Sequence, residues 1–91
     1  MKVIYSVRAL RHLEAIRDYI AQDNPQAAKH VIERIEHSTA RLATLPFSAR
    51  PGLRGTRLLS VPRLPYVVIY WVRGEVVSVL SIFHTARNLR I

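Results

Sequence analysis

The run Tyr66-Val67-Val68-Ile69-Tyr70-Trp71-Val72 is apolar at both parities. A strand with one solvated side alternates, so this run predicts a central strand covered on both faces. Arg73-Gly74 connects it to a second β-branched run, Val76 to Phe83, and so short a connection predicts an antiparallel hairpin. Arg57 to Val61 reads as a further strand, separated from the hairpin by Pro62 and Pro65, and Lys2 to Tyr5 as a short N-terminal one.

Between the first strand and the others the periodicity changes. Ala9, Leu13, Ile16 and Ile20 recur at helical spacing with charged residues between them, which predicts an amphipathic helix from Val7 with Ser6 as its N-cap. Asp23-Asn24-Pro25 then ends one helix and starts another: proline disfavours α geometry at Asn24, suits Asn24 as a cap, and is itself tolerated at the first helical position. Ala28, Val31, Ile35, Ser38, Leu42 and Leu45 form one stripe, so the second helix is expected over 25–44. A breaker-rich loop, Pro46 to Gly55, follows. The fold class is therefore α+β: an N-terminal strand, then an antiparallel two-helix hairpin packed on a mostly antiparallel sheet that three C-terminal strands complete. Helices cover only one face of so small a sheet. An exposed patch carrying some of Tyr66, Tyr70 and Trp71 is then expected to await a partner; the alternative is that these aromatics complete the core.

Ninety-one residues suit one domain over 1–91. With no cysteine, neither a disulfide framework nor a thiolate metal site stabilises it, which suits a reducing cytoplasm. No window approaches the ~20 apolar residues of a membrane span and no signal peptide is visible, so a cytoplasmic location without membrane contact is expected. The formal charge of +8 is unevenly spread. Seven of the fourteen basic residues lie from Arg50 onward, all arginine, against the single acid Glu75. A one-sided arginine surface implies an anionic partner, nucleic acid or acidic protein, or else serves solubility alone.

Most catalytic constellations are missing. His12, His30 and His37 lie on the helices with no cysteine or acid to complete a metal site, and three glycines cannot build a phosphate loop. No cofactor is expected. The remaining cluster is Phe83-His84-Thr85-Ala86-Arg87-Asn88-Leu89-Arg90, where His84 sits as a strand gives way to a tail. Together with Arg57, Arg63 and Arg73, the residues His84, Arg87 and Arg90 are candidates for binding an anionic target; the alternative is that His84 and Arg87 only tie the tail down.

The order of these pieces carries a family resemblance over essentially the whole chain. The run Ala9-x-x-x-Leu13-x-x-Ile16-x-x-Tyr19-Ile20-Ala21, the Asp23-Asn24-Pro25 break and Arg41-Leu42-Ala43-Thr44-Leu45-Pro46 resemble the ParE branch of the RelE/ParE toxins. So do Arg50-Pro51-Gly52-Leu53-Arg54-Gly55-Thr56-Arg57, Leu64-Pro65-Tyr66-Val67-Val68-Ile69-Tyr70 and Ile82-Phe83-His84-x-Ala86-Arg87-Asn88. The resemblance implies a toxin held inactive by a cognate acidic antitoxin, whose segment would bury the patch of Tyr66, Tyr70 and Trp71. Its ParE-like members poison DNA gyrase; its RelE-like members cut messenger RNA on the ribosome with sheet-face cations and a C-terminal acid–base set. This chain departs from the second pattern. Its only lysines are Lys2 and Lys29, and no tyrosine, histidine or acid follows His84. Gyrase is the expected target. The alternatives are a metal-independent endoribonuclease with His84 as its catalytic residue, acting on the ribosome, and a stand-alone basic nucleic-acid-binding domain.

The charge asymmetry generates a test. Association with an acidic antitoxin should be slowed by salt, because screening removes electrostatic steering. Stopped-flow rates that are equal at low and high ionic strength would contradict it.

Overall fold

The computed structural model describes residues 1–86. The elements run β1 (Lys2–Tyr5), α1 (Val7–Ala21), α2 (Pro25–Ala40), a 3-10 turn (Arg41–Ala43), β2 (Arg50–Pro51), a second 3-10 turn (Leu53–Gly55), β3 (Arg57–Ser60), β4 (Tyr66–Arg73) and β5 (Val76–His84). Both helix starts are as expected. The Ser6 side chain accepts the Ala9 N–H at 3.0 Å, and Asn24 Oδ1 accepts that of Ala27 at 3.0 Å, each satisfying one of the donors a helix start leaves unpaired.

The second helix stops four residues short of the expected boundary. At Arg41 it tightens into a 3-10 turn, and three residues per turn instead of 3.6 shifts the phase of everything beyond. Leu42 is buried while Leu45 is half exposed. The stripe is thus Ala28, Ile35, Thr39 and Leu42, with the Thr39 hydroxyl bonded to the Tyr5 phenol and donating to the Glu36 carbonyl.

The five strands are ordered β1-β5-β4-β3-β2, which puts the all-apolar run β4 in the middle. Its pairings with β3 and β5, and that of β2 with β3, are antiparallel; β1 lies parallel to β5. The two-residue β2 escapes the sequence because Pro51 and Gly52 read as breakers. Gly52 is needed there, since a Cβ would stand 2.7 Å from Thr56 Oγ1.

The β4–β5 register breaks once. Ile69 faces Ser81 but Tyr70 faces Val79, so Leu80 is the extra residue of a β-bulge. Such a bulge reverses the parity of the strand beyond it. Val77 and Val79 before it, and Ile82 and His84 after it, consequently share the side of the sheet on which the helices lie. There Ala9, Leu13, Ile16 and Ile35 pack on Val61, Tyr66, Val68, Val79 and Ile82, with Leu42, Tyr70 and Val77 as a smaller cluster.

For Tyr66 and Tyr70 the exposed patch is a correction. Tyr66 and Tyr70 are buried at 4% and 0% exposure and complete the core, because even-numbered β4 residues face the helices. The Tyr70 hydroxyl donates to the Pro46 carbonyl at 2.7 Å, and burial pushes its phenol above the ordinary pKa. Trp71 points to the opposite, helix-free face, where it and Ile69 are half-buried rather than covered.

Ile35 and Leu42 are each almost wholly inaccessible. Ile35→Ala or Leu42→Ala should destabilise the fold by about 2 to 5 kcal/mol, the range for emptied core sites. Denaturant unfolding measures it, and unchanged midpoints would mean the stripe does not pack as described.

Candidate functional site

β1 ends opposite Val79, but β5 continues to His84. Beyond that point α1 supplies the partners a strand would have supplied. The Ser6 N–H donates to the Val79 carbonyl at 2.9 Å, the Ser6 hydroxyl donates to the Leu80 carbonyl at 2.9 Å, and the Ile82 N–H donates to His12 Nδ1 at 3.0 Å. Ser6 and His12 thus pin the bulge to the start of α1.

The outer flank of α1 and the end of β5 enclose a cleft of about 210 Å³, lined by His12, Ala15, Ile16, Tyr19, Tyr66, Ile82 and His84. His12, Ala15 and Tyr19 fall at helical spacing one step round from the core stripe. Tyr66 meets the His84 ring edge to face, 5.2 Å between centroids. Two imidazoles therefore share one apolar slot. Sequence reasoning set His12 aside, because the contact joins residues seventy apart; the one available signal was its place beside the core stripe.

Both rings are held in the same tautomer. His12 Nδ1 accepts the Ile82 N–H, and His84 Nδ1 accepts the Ala86 N–H at 3.1 Å. An accepting nitrogen carries no proton, so each neutral ring bears its proton on Nε2. Such a ring can donate a hydrogen bond from Nε2 but has no free lone pair with which to take a proton. Becoming a general acid would require protonating Nδ1 and breaking its backbone bond. For His12 that form is further disfavoured: burial first, and the Arg8 charge second, hold its pKa below the ordinary value.

The arginines expected to form one binding surface are dispersed. Arg57, on the helix side of β3, donates to the Phe47 and Ala49 carbonyls at 3.3 and 2.8 Å and lies 4.9 Å over the Phe47 ring. It holds the loop before β2. Arg73 stacks 3.6 Å from the Trp71 ring on the helix-free face. It ends β4, whereas His84 pairs with Tyr66 at the strand's start, and seven residues of strand separate the two by about 20 Å. Of the arginines so expected, Arg63 lies at the His84 end, exposed on the β3–β4 loop in the left-handed region (φ 64°). Arg87 and Arg90 lie outside the described residues. Of those described, no group of three or more His, Asp or Glu side chains is placed to hold a metal, and no helix is long and apolar enough to cross a membrane.

A strand, a helical hairpin and a mixed sheet with an arginine-rich, nearly acid-free second half make up a small basic α+β domain of the toxin kind. Residues 3–89 match the family model of the ParE toxin of the type II toxin–antitoxin system parDE, and the chain belongs to that family. It is 37% identical over 84 residues to the candidate toxin Y4kP of Sinorhizobium fredii, covering 91% of this chain and 86% of the relative. It is 39% identical over 87 residues to toxin RelE2 of Caulobacter vibrioides, covering 94% and 97%. A solved structure from the chromosomal ParDE toxin–antitoxin system of P. aeruginosa superposes with a TM-score of 0.82 at 25% identity, over 92% of this chain and 95% of that one.

The lowered His12 pKa has a sign in stability. The folded state takes up its proton at lower pH than the unfolded state, so this contribution is complete above the unfolded value near 6.5 and is lost as pH falls towards the folded pKa. The melting temperature should therefore drop on acidification from pH 7 to 5. The decline should be shallower in His12→Asn, whose amide oxygen accepts the Ile82 N–H without titrating. Parallel pH profiles for the two proteins would contradict it.

Proposed function

We propose that this chain is the growth-inhibiting toxin of a type II toxin–antitoxin pair, that it binds and poisons DNA gyrase without making or breaking bonds itself, and that a cognate acidic antitoxin neutralises it. Membership of the ParE family and the likeness to a ParDE structure support the pairing with an antitoxin. One observation carries the choice of target: both imidazoles of the cleft commit Nδ1 to backbone N–H groups. A metal-independent ribonuclease needs a base to activate the 2′-hydroxyl and an acid for the leaving oxygen. Each ring must give up its backbone hydrogen bond before it can take up a proton, so this geometry does not set either up for that role. This geometry therefore argues against cleavage of ribosome-bound messenger RNA.

Target contact is assigned to the end of the sheet that carries Arg63 and His84, and to Arg87 and Arg90 of the basic sequence that follows, because cations attract an anionic or acidic surface. Arg73 and Trp71, on the helix-free face, are left for other contacts, and Arg57 for structure.

Purified toxin should inhibit gyrase supercoiling and leave ribosome-bound messenger RNA intact. Arg87→Glu with Arg90→Glu should abolish inhibition, since charge reversal adds repulsion to the lost attraction. His84→Ala should weaken it only modestly. Site-specific RNA cleavage that His84→Ala reduces by about 100-fold or more would instead indicate a ribonuclease. Binding to nucleic acid without toxicity or an antitoxin would indicate a stand-alone binding domain.

A further inference from the structure

His30, Arg34, His37 and Arg41 follow one another in steps of four, three and four residues along α2 and into the 3-10 turn that ends it. Those steps put them on one flank of the helix, about 5.5 Å apart over roughly 16 Å. All four are exposed. The flank is the one next to the β3–β4 loop: Arg34 donates to the Pro62 carbonyl, and Arg34, His37 and Arg41 line a shallow hollow of about 370 Å³ with Glu33, Ser38 and Pro62. Among the described residues the one ion pair is that of Arg17 with Asp18, so no carboxylate neutralises Arg34 or Arg41.

The polar surface continues past Arg41. A smaller pocket shares Ser38 and Arg41 with the hollow and adds Ser48 and Ser60, and Arg50 is held at this edge of the sheet by donating to Ser60 Oγ at 3.2 Å. In the other direction Pro62 precedes Arg63, so the stripe adjoins the sheet end assigned to target contact. Glu33 is the acid in the lining. Glu14, Asp18 and Glu36 line the grooves between the two helices instead, which leaves this flank with an excess of cations.

A shallow line of cations suits an extended polyanion whose charges also lie on a line, and each strand of a nucleic acid carries one phosphate per ~3.4 Å of rise. No aromatic side chain lines the hollow. A stacking platform for unpaired bases is therefore missing, and a duplex, which turns its phosphates outward, fits better than a single strand. We propose that the α2 flank of His30, Arg34, His37 and Arg41 grips the phosphate backbone of duplex DNA without reading its sequence, as a second surface of the toxin. Arg34 and Arg41 give charge-assisted hydrogen bonds to phosphate oxygens, and His30 and His37 add an imidazole N–H each. The choice of DNA over RNA rests on the gyrase reading, since duplex DNA is the nucleic acid that such a target holds. A toxin seated on the enzyme by its sheet end could then touch the DNA with the adjoining flank.

Binding of the full-length toxin to a fluorescently labelled random-sequence DNA duplex is followed by anisotropy at several salt concentrations. Arg34→Gln with Arg41→Gln should weaken binding by about tenfold or more at low salt. It should also lower the slope of log K against log salt by about 2, as two lost phosphate contacts require. Arg41→Gln alone leaves the Arg34 bond to Pro62 in place, so it should lower the slope by about 1 and keep the wild-type melting temperature. Arg8→Gln with Arg11→Gln removes the same charge from exposed positions on α1 and should leave the slope nearly as it was. Wild-type binding by the α2 variants would overturn the proposal. Equal losses in the two double variants would do so too, by reducing the attraction to net charge. Polyglutamate that competes as strongly as the duplex, through the same two arginines, would make the flank a site for an acidic protein, and tighter binding of an RNA duplex would overturn the choice of DNA. DNA binding that depends on Arg34 and Arg41 in a toxin that leaves supercoiling intact would remove the gyrase reading and leave this contact standing.

Discussion

The hydrogen bond from the Ile82 N–H to His12 Nδ1 is the contact on which the candidate site depends. β5 runs on past the end of β1, so the Ile82 N–H faces an edge that no strand covers, and a buried N–H left unpaired is costly. A helix side chain meets that need here, and three consequences follow. The bulge is held where it turns Ile82 and His84 to the helix side. The flank of α1 is fixed against the end of β5, so a cleft exists. The His12 Nδ1 is engaged by a backbone N–H, which opposes its protonation.

The same geometry separates functions that the sequence runs together. Arginine is abundant in the second half of the chain, but a strand of eight residues keeps its two ends far apart, and opposite faces of a sheet share no surface. Arg57 holds a loop through two carbonyls. Arg73 lies over Trp71, a stack that combines cation–π attraction with coverage of an aromatic face on the helix-free side. Arg63 belongs to the end where β5 finishes. Net charge describes the attraction of the whole molecule for an anion, and the placement of each guanidinium decides where that anion is met.

The elements themselves were legible in the sequence because their signals are local. Ser6 and Asn24 cap the two helices as read, the stripe of Ala9, Leu13 and Ile16 is buried, and the apolar run 66–72 lies in the middle of the sheet. Misses occurred where a local pattern is ambiguous. Leu45 continued the stripe in sequence but turned outward once the helix tightened at Arg41. A two-residue strand containing Pro51 was hidden among breakers.

By itself the sequence determined the α+β class, the order of the helices and of the four longer strands along the chain, the basic second half and the family. All of these follow from periodicity, capping residues, composition and the order of short motifs, which need no knowledge of distant contacts. Only the tertiary structure decided that β1 joins β5 in parallel, that Tyr66 and Tyr70 lie inside while Trp71 faces out, and that His12 shares a cleft with His84. For the last of these the physical reason lies in one residue. Leu80 has no partner in the ladder, and a single unpaired residue reverses every side chain beyond it. Which face His84 takes, and which helix residue it meets there, is therefore set by a register that only the paired strands contain.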